Sequence, residues 1–178
     1  KFEELTVIEL RKCNNLARQL LEYTQRHLTT AASAQRMLNA LDGQCDSVLF
    51  LSGSTSPDYL RCLTLHGLKS VLGRNCHDYP CVQHLYDKSQ KVRGLYGHGF
   101  TYTRILDPCY RDDKRDLTVE ADIVRHRYDK VVYGSYHRGM PLLELVMKHY
   151  APENVVLMCG EDLNGRKRRG CSKGDHES

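Results

Sequence analysis

The segment GSYHRG, residues 134 to 139, combines residue types that transfer protons and hold anions. The His137 imidazole can act as a general acid or base, and the Arg138 guanidinium can clamp a phosphate through two parallel hydrogen bonds. Ser135, in the same turn, is a candidate contact for a substrate or phosphate. An ion pair with a nearby acid would also explain Arg138, so both interpretations of this residue stay open.

A second segment with chemical potential is YGHGFT, residues 96 to 101. His98 stands between Gly97 and Gly99, and a glycine-flanked loop is flexible enough to bring an imidazole to a substrate. Thr101 is a hydrogen-bonding neighbour of that loop. The alternative is a glycine turn that carries an exposed histidine.

The turn SGSTSPD follows an apolar run and precedes a helical pattern. Its residue types predict a helix start with Ser56 as the N-cap, Pro57 at the first helical position and Asp58 in the first turn. The free amides of such a start can hold a phosphate, although the Asp58 carboxylate would repel one if it pointed inward. The candidate ligand contacts in this turn are Gly53, Ser54 and Ser56.

Two further segments contain metal-ligand residue types. Glu161 and Asp162 form an adjacent acidic pair after a buried run, but the Asp-x-Asp spacing of metal-dependent sugar transferases is absent. The segment CHDYPCVQH has Cys-x4-Cys-x2-His spacing, which is not one of the tight paired zinc spacings. We therefore expect no metal at either segment and no cofactor, and we keep Glu161 as a candidate substrate contact.

The charge and the cysteines indicate the surroundings of the chain. The last fifteen residues carry five Lys or Arg and two acids, which leaves only +1 of the net charge of +4 for the rest. Such a body has no clear footprint for nucleic acid, and the basic tail, residues 164 to 178, is of a disordered type. The eight cysteines are scattered, which favours a reducing, cytoplasmic environment, and no apolar run is long enough to span a bilayer.

Periodicity predicts the elements that would position these side chains. Residues 1 to 44 have the pattern of an N-terminal helical segment whose apolar face packs on the body or on a partner. Residues 45 to 163 alternate between short apolar runs and helical patterns, which predicts an α/β domain with a mainly parallel sheet in a Rossmann-like three-layer arrangement. The predicted strands are 47 to 52, 130 to 135 and 154 to 159, with a short fourth in RNCHDYP, and the predicted helices after the N-terminal segment are 57 to 72, 116 to 127 and 140 to 149.

Four blocks in order give the chain a family resemblance. They are LFLSGSTSPDYLRCLTLHGLKSVLG, LYGHGFTYTRILD, DKVVYGSYHRGMPLLELV and VVLMCGED. Over residues 46 to 163 the chain resembles the N-terminal half of poorly characterised bacterial glycosyltransferase-like proteins, which are similar to two-domain nucleotide-sugar transferases. The resemblance implies transfer of a sugar from a nucleotide-activated donor to a saccharide or other hydroxyl acceptor, with the donor contacts mainly on a missing or separate C-terminal domain.

Glycosyl transfer needs a base for the acceptor proton and positive charge for the leaving diphosphate. Under this hypothesis His98 and His137 are the candidate bases and Arg138 is the candidate phosphate clamp. A non-catalytic Rossmann-type binding or assembly module is the second hypothesis. A nucleic-acid binder that depends on zinc or on the basic tail is the third.

Overall fold

A computed structural model of the chain describes residues 7–54, 58–86 and 103–160. The helices are α1 (Val7–His27), α2 (Thr30–Ala40), α3 (Tyr59–Leu72), α4 (Asp113–Asp116), α5 (Val119–Val124) and α6 (Leu143–His149). The strands are β1 (Val48–Leu51), β2 (Cys76–Tyr79), β3 (Lys130–Tyr133) and β4 (Val155–Leu157). Short 3-10 turns connect several of these elements, among them Tyr136–Arg138 directly after β3.

The four strands form one parallel sheet in the order β2-β1-β3-β4. Val48 of β1 pairs with Cys76 of β2 on one side and with Lys130 of β3 on the other. Val131 of β3 pairs with Val155 of β4, which places β4 at one edge. The prediction that residues 47 to 52, 130 to 135 and 154 to 159 are parallel neighbours is therefore confirmed, as is the short strand in RNCHDYP.

Apolar side chains project from both faces of this sheet, because successive residues of each central strand belong to two different core clusters. On one face Val48, Phe50 and Val132 pack against α2 and α3. On the other face Leu49, Leu51, Val119, Ile123, Val131, Tyr133 and Val146 form a separate core with α5 and α6. The chain is thus an α/β structure with helices on both faces of a parallel sheet.

The two N-terminal helices behave differently. Thr29 caps α2 by accepting from the Ala32 amide at 3.1 Å, and Thr30 Oγ1 lies 2.7 Å from His66 Nδ1 on α3. Gly67 allows this close crossing, since an added Cβ would overlap the Thr30 carbonyl. From Arg11 to Arg26, by contrast, every side chain of α1 is exposed. Among the described residues, no helix combines the length and the apolarity that crossing a membrane requires.

Two local predictions are wrong. The helix predicted over 116 to 127 is shorter, at Val119–Val124, and the separate turn α4 precedes it, with the Asp112 side chain accepting from the Arg115 amide at 3.2 Å. The start of α3 is also displaced. Asp58, predicted in the first turn, is the N-cap, and its carboxylate accepts from the Arg61 amide at 2.9 Å.

Candidate functional site

The candidate site lies beyond the carboxyl ends of β1 and β3. In an open parallel sheet the strand order reverses at one point, and ligands bind in the crevice there. Here β2 and β3 flank β1, so the reversal falls between β1 and β3. The loops that leave these two strands touch each other, because a Cβ added at Gly53 would overlap the carbonyl oxygens of Arg138 and Gly139. The described part of the loop after β1 and the loop after β3 therefore lie at the same end of the sheet.

An ion pair joins the two loops. Arg138 Nε lies 2.6 Å from Asp58 Oδ2, with the arginine side chain 44% exposed and the aspartate side chain 7% exposed. Burial raises the pKa of Asp58, but the Arg61 amide and the charges of Arg138 and Arg61 outweigh this effect and hold it below its ordinary value. The carboxylate therefore stays charged at neutral pH, and it already occupies the N-terminus of α3 that a phosphate would use.

Arg61 supplies a second cation directly beneath this pair. It is fully buried, its guanidinium donates to the Ser54 carbonyl, and burial lowers the pKa of this group. Its stem passes beside Gly134, where a Cβ would come within 2.9 Å of Arg61 Cγ. Two guanidinium groups and one carboxylate thus meet at this edge of the sheet, which leaves an excess of positive charge where an anion would bind.

Two serine hydroxyls complete the edge. Ser52, directly after β1, and Ser135, after β3, are both buried, and within the described residues neither Oγ forms a hydrogen bond. The Ser135 hydroxyl is close enough to Asp58 to lower the pKa of that carboxyl, although the two groups lack standard hydrogen-bond geometry. Buried hydroxyls without partners are uncommon in folded proteins, and they often mark positions where a ligand or water binds.

The predicted site residues divide into those near this edge and those outside the described residues. Gly53, Ser54, Ser135 and Arg138 lie in the two loops, and His137 is exposed beside Arg138, with its ring edge-on to Tyr136 at 6.0 Å. Six of the predicted site residues and the acid Asp162 lie outside the described residues. The six are Ser56, Gly97, His98, Gly99, Thr101 and Glu161. Two interpretations of Arg138 were open, a phosphate contact and an ion pair with an acid. The structure shows the ion pair, with Asp58.

A second network of buried charge lies at β2 and is closed on all sides. Asp78 Oδ1 lies 3.0 Å from Lys69 Nζ and accepts from the Tyr86 hydroxyl at 2.5 Å, while Oδ2 accepts from the Val82 amide at 3.0 Å. Lys69 also donates to the Tyr110 carbonyl at 2.9 Å. Burial raises the pKa of Asp78, but the Lys69 charge and the hydrogen bonds keep it below its usual value. Each charged group in this network has its partners within the protein.

Another polar pair lies near the same strand. His77 Nε2 is 3.2 Å from Asp116 Oδ1, without standard hydrogen-bond geometry. Burial lowers the pKa of His77 to about 4, so the imidazole is neutral at pH 7. Burial and the neighbouring Asp78 charge raise the pKa of Asp116 to about 6. This carboxyl therefore lies against a buried histidine.

The histidines and cysteines of CHDYPCVQH lie in different surroundings. Cys76 belongs to the core beside α3, and His84 Nε2 lies 3.4 Å from Cys62 Sγ in the interior. Burial raises the pKa of Cys62 and lowers that of His84, so both groups are neutral. Within residues 7–54, 58–86 and 103–160, no three His, Cys, Asp or Glu side chains are placed to hold a metal ion. The seven cysteines in these ranges are free thiols.

Sequence reasoning missed three residues of the edge, namely Ser52, Asp58 and Arg61 as members of the site. A signal for Arg61 was present, because Arg61, Leu65, Leu68 and Leu72 recur at helical spacing and therefore share one face of α3. Charged residues are rarely buried, so this spacing by itself does not predict that the Arg61 side chain is buried. The pairing of Asp58 with a residue 80 positions later in the chain has no local signal.

Comparison of the chain with known proteins gives no significant match to a family model, to a curated protein or to a solved structure. The resemblance to glycosyltransferase-like proteins therefore stays a prediction. The geometry at the ends of β1 and β3 has to carry any functional argument, since no relative supplies one.

Proposed function

We propose that this chain is a Rossmann-like, glycosyltransferase-like domain that binds an anionic sugar-transfer substrate beyond the ends of β1 and β3. The single observation behind this proposal is the partly exposed Arg138 guanidinium at the point where the strand order reverses. Nucleotide-activated sugars carry a diphosphate, and a guanidinium matches phosphate oxygens in charge and shape. The fold and the charge at the edge support the same class of ligand that the four sequence blocks imply.

The roles of individual groups follow from their positions. Arg138 would steady the diphosphate as negative charge develops on the leaving group. His137 is exposed on the adjacent 3-10 turn, where an imidazole can take the proton of an acceptor hydroxyl. His98 remains the alternative base, and Glu161 a candidate substrate contact. The buried Ser52 and Ser135 hydroxyls offer further hydrogen bonds to the ligand.

Asp58 competes with a ligand anion for Arg138. A ligand anion must share Arg138 with the Asp58 carboxylate or displace it, and the negative charge of Asp58 opposes the approach of the anion. The same ion pair favours the second candidate function, a non-catalytic binding or assembly module, because a structural role would satisfy Arg138 without any ligand. The two functions differ in what happens when either partner of the pair is changed.

Isothermal titration with uridine, guanosine and adenosine diphosphates tests the proposal. Arg138→Ala should weaken the tightest of these interactions by about 10- to 100-fold, because it removes a charge-assisted contact. Asp58→Asn should instead tighten binding by about 3- to 10-fold, because it frees Arg138 and removes one negative charge. Asparagine is itself a good N-cap, so this variant keeps the start of α3.

Arg125→Ala is the matched control, since Arg125 is an exposed arginine just before β3 and therefore lies at the opposite edge of the sheet. It should bind like the parent. The absence of binding for every diphosphate, or changes of the same sign in Arg138→Ala and Asp58→Asn, would contradict the proposal and favour the module. If binding behaves as expected, His137→Ala should slow sugar transfer by about 100-fold with little loss of affinity.

A further inference from the structure

Helix α1 presents an apolar face that the rest of the described chain does not cover. Leu16, Leu20 and Leu21 are each 57% exposed and Tyr23 is 58% exposed, although their spacing is that of a helix face which packs on something. Soluble monomers rarely leave such contiguous apolar surface open to water. Of the two alternatives for this apolar face, the body of the domain or a partner, the described residues do not show packing on the body.

The polar face of α1 has a strong bias toward positive charge. Residues 11 to 26 contain four Lys or Arg and one acid, Glu22, and all of their side chains are exposed. At 3.6 residues per turn, Lys12 and Arg26 project near one border of the apolar face, and Arg18 projects from the far side. A helix with a leucine-rich face, a basic polar face and a moderate overall hydropathy is typical of helices that lie in the headgroup region of a membrane.

The charge pattern also argues against pairing with a second copy. The one acid, Glu22, points away from the apolar face and lies one helical turn from both Arg18 and Arg26. Two copies joined through residues 11 to 26 would therefore bring their basic borders together with no acid of that stretch facing them. An anionic lipid surface complements the same cations.

The apolar surface continues past the end of α1. Leu28 is 63% exposed and lines a groove of about 450 Å³ between α2 and α3, together with Met37, Leu60, Leu63 and Met158. The exposed face is thus not confined to one helix, and its far end lies near β4. Both parts offer apolar contact to a bilayer surface.

We propose that α1 binds the surface of membranes that contain anionic lipids, with Leu16, Leu20, Leu21 and Tyr23 inserted among the headgroups and the border cations Lys12 and Arg26 in contact with lipid phosphates. This proposal does not depend on the site at β1 and β3. Arg138→Ala should bind vesicles like the parent, so the two proposals can fail separately.

Co-sedimentation of the full chain with vesicles tests it. Vesicles of phosphatidylcholine with about 30% phosphatidylserine should bind the chain about tenfold more tightly than vesicles of pure phosphatidylcholine. Salt at about 0.5 M should remove most of this difference in affinity. Leu16→Gln with Leu20→Gln should reduce binding by about tenfold or more. Leu117→Gln, at an 87% exposed leucine outside α1, is the matched control and should change nothing.

A second pair of variants keeps the apolar face intact. Lys12→Gln with Arg26→Gln should weaken binding to the anionic vesicles only, while Arg125→Gln should not, and far-ultraviolet circular dichroism checks that α1 remains helical. Failure of the parent to bind anionic vesicles would overturn the proposal, as would full binding by the double leucine variant. Self-association that the leucine changes abolish, without vesicle binding, would assign the face to a second copy instead.

Discussion

Two regions of this molecule bury a carboxylate next to a cation from α3 or from the β3 loop, and they differ in how completely the charges are enclosed. At β2, Asp78 has Lys69, Tyr86 and the Val82 amide as partners, and every one of these groups is buried. At the β1 and β3 edge, Asp58 is half-buried as a residue, with its side chain 7% exposed, and its partner Arg138 is 44% exposed.

The difference separates structure from function. A closed network leaves no room for a ligand, and its value is to fix the geometry of the interior. An open network keeps a cation that can exchange its internal partner for an external anion. Burial of charge alone is therefore a poor indicator of a ligand site. A carboxylate that pairs with a half-exposed guanidinium, at the point where the strand order reverses, is a better indicator.

The largest expected effect is the loss of the closed network. Lys69→Met should lower the free energy of unfolding by about 3 to 5 kcal/mol, because it leaves the Asp78 carboxylate buried without its cation. Arg138→Met is the paired variant and should cost less than about 1 kcal/mol, because that ion pair is partly exposed to water. Urea denaturation of both proteins measures the contrast. Similar losses in the two variants would remove the distinction between the regions.

A smaller effect is expected at the contact between the two loops. Gly53→Ala should destabilise the chain by about 1 to 3 kcal/mol, since the new methyl group overlaps the Arg138 and Gly139 carbonyls and must push the loops apart. The variant should also weaken nucleotide binding, because Arg138 moves with its loop. Ser52→Ala, one residue away and without added bulk, should leave stability nearly unchanged. Thermal unfolding and titration distinguish these outcomes.

The smallest effects are expected from pH, and their signs differ between Asp116, which faces His77, and Asp58. The raised pKa of Asp116, about 6, means that its ionisation opposes folding as pH rises from 3.8 through 6. Asp116→Asn should therefore be more stable than the parent at pH 7, with the gain disappearing by about pH 4. The lowered pKa of Asp58 gives the reverse, since its charge supports the fold above pH 3.8 and this support is lost below that value.

Asp58→Asn should thus be slightly less stable than the parent at pH 7 and approach it in acid. Urea unfolding of the parent and both variants at neutral and acid pH would show the two opposite trends. Curves that shift in the same direction for both variants would contradict the opposite pKa shifts of Asp116 and Asp58.

The amino-acid sequence by itself determined the elements and their order. Apolar runs such as Val48–Leu51 and Lys130–Tyr133, separated by helical patterns, are sufficient to predict parallel strands with helices on both faces. Local chemistry also determined the α2 cap at Thr29 and the end of α3 at Gly73, where the backbone has φ 57°. These features depend on a few neighbouring residues, which is why the sequence carries them.

Only the tertiary structure decided which charges meet. The sequence placed Asp58 in a helix turn and Arg138 in a separate loop, and the sheet brings them to 2.6 Å. It also buries Arg61 and Lys69 of α3 beside Leu65 and Leu68. Long-range pairing of charged groups is set by strand order and register, and neither quantity is encoded in the residues on either side of the pair.

The same reason explains α1. The sequence determined that this helix is amphipathic, but an apolar stripe predicts contact without naming what it contacts. In the folded chain α2 packs on α3 through Gly67 and Thr30, while the leucines of α1 stay exposed. Whether an apolar face is covered depends on the shape of the surface that the rest of the fold offers to it, and that shape exists only in three dimensions.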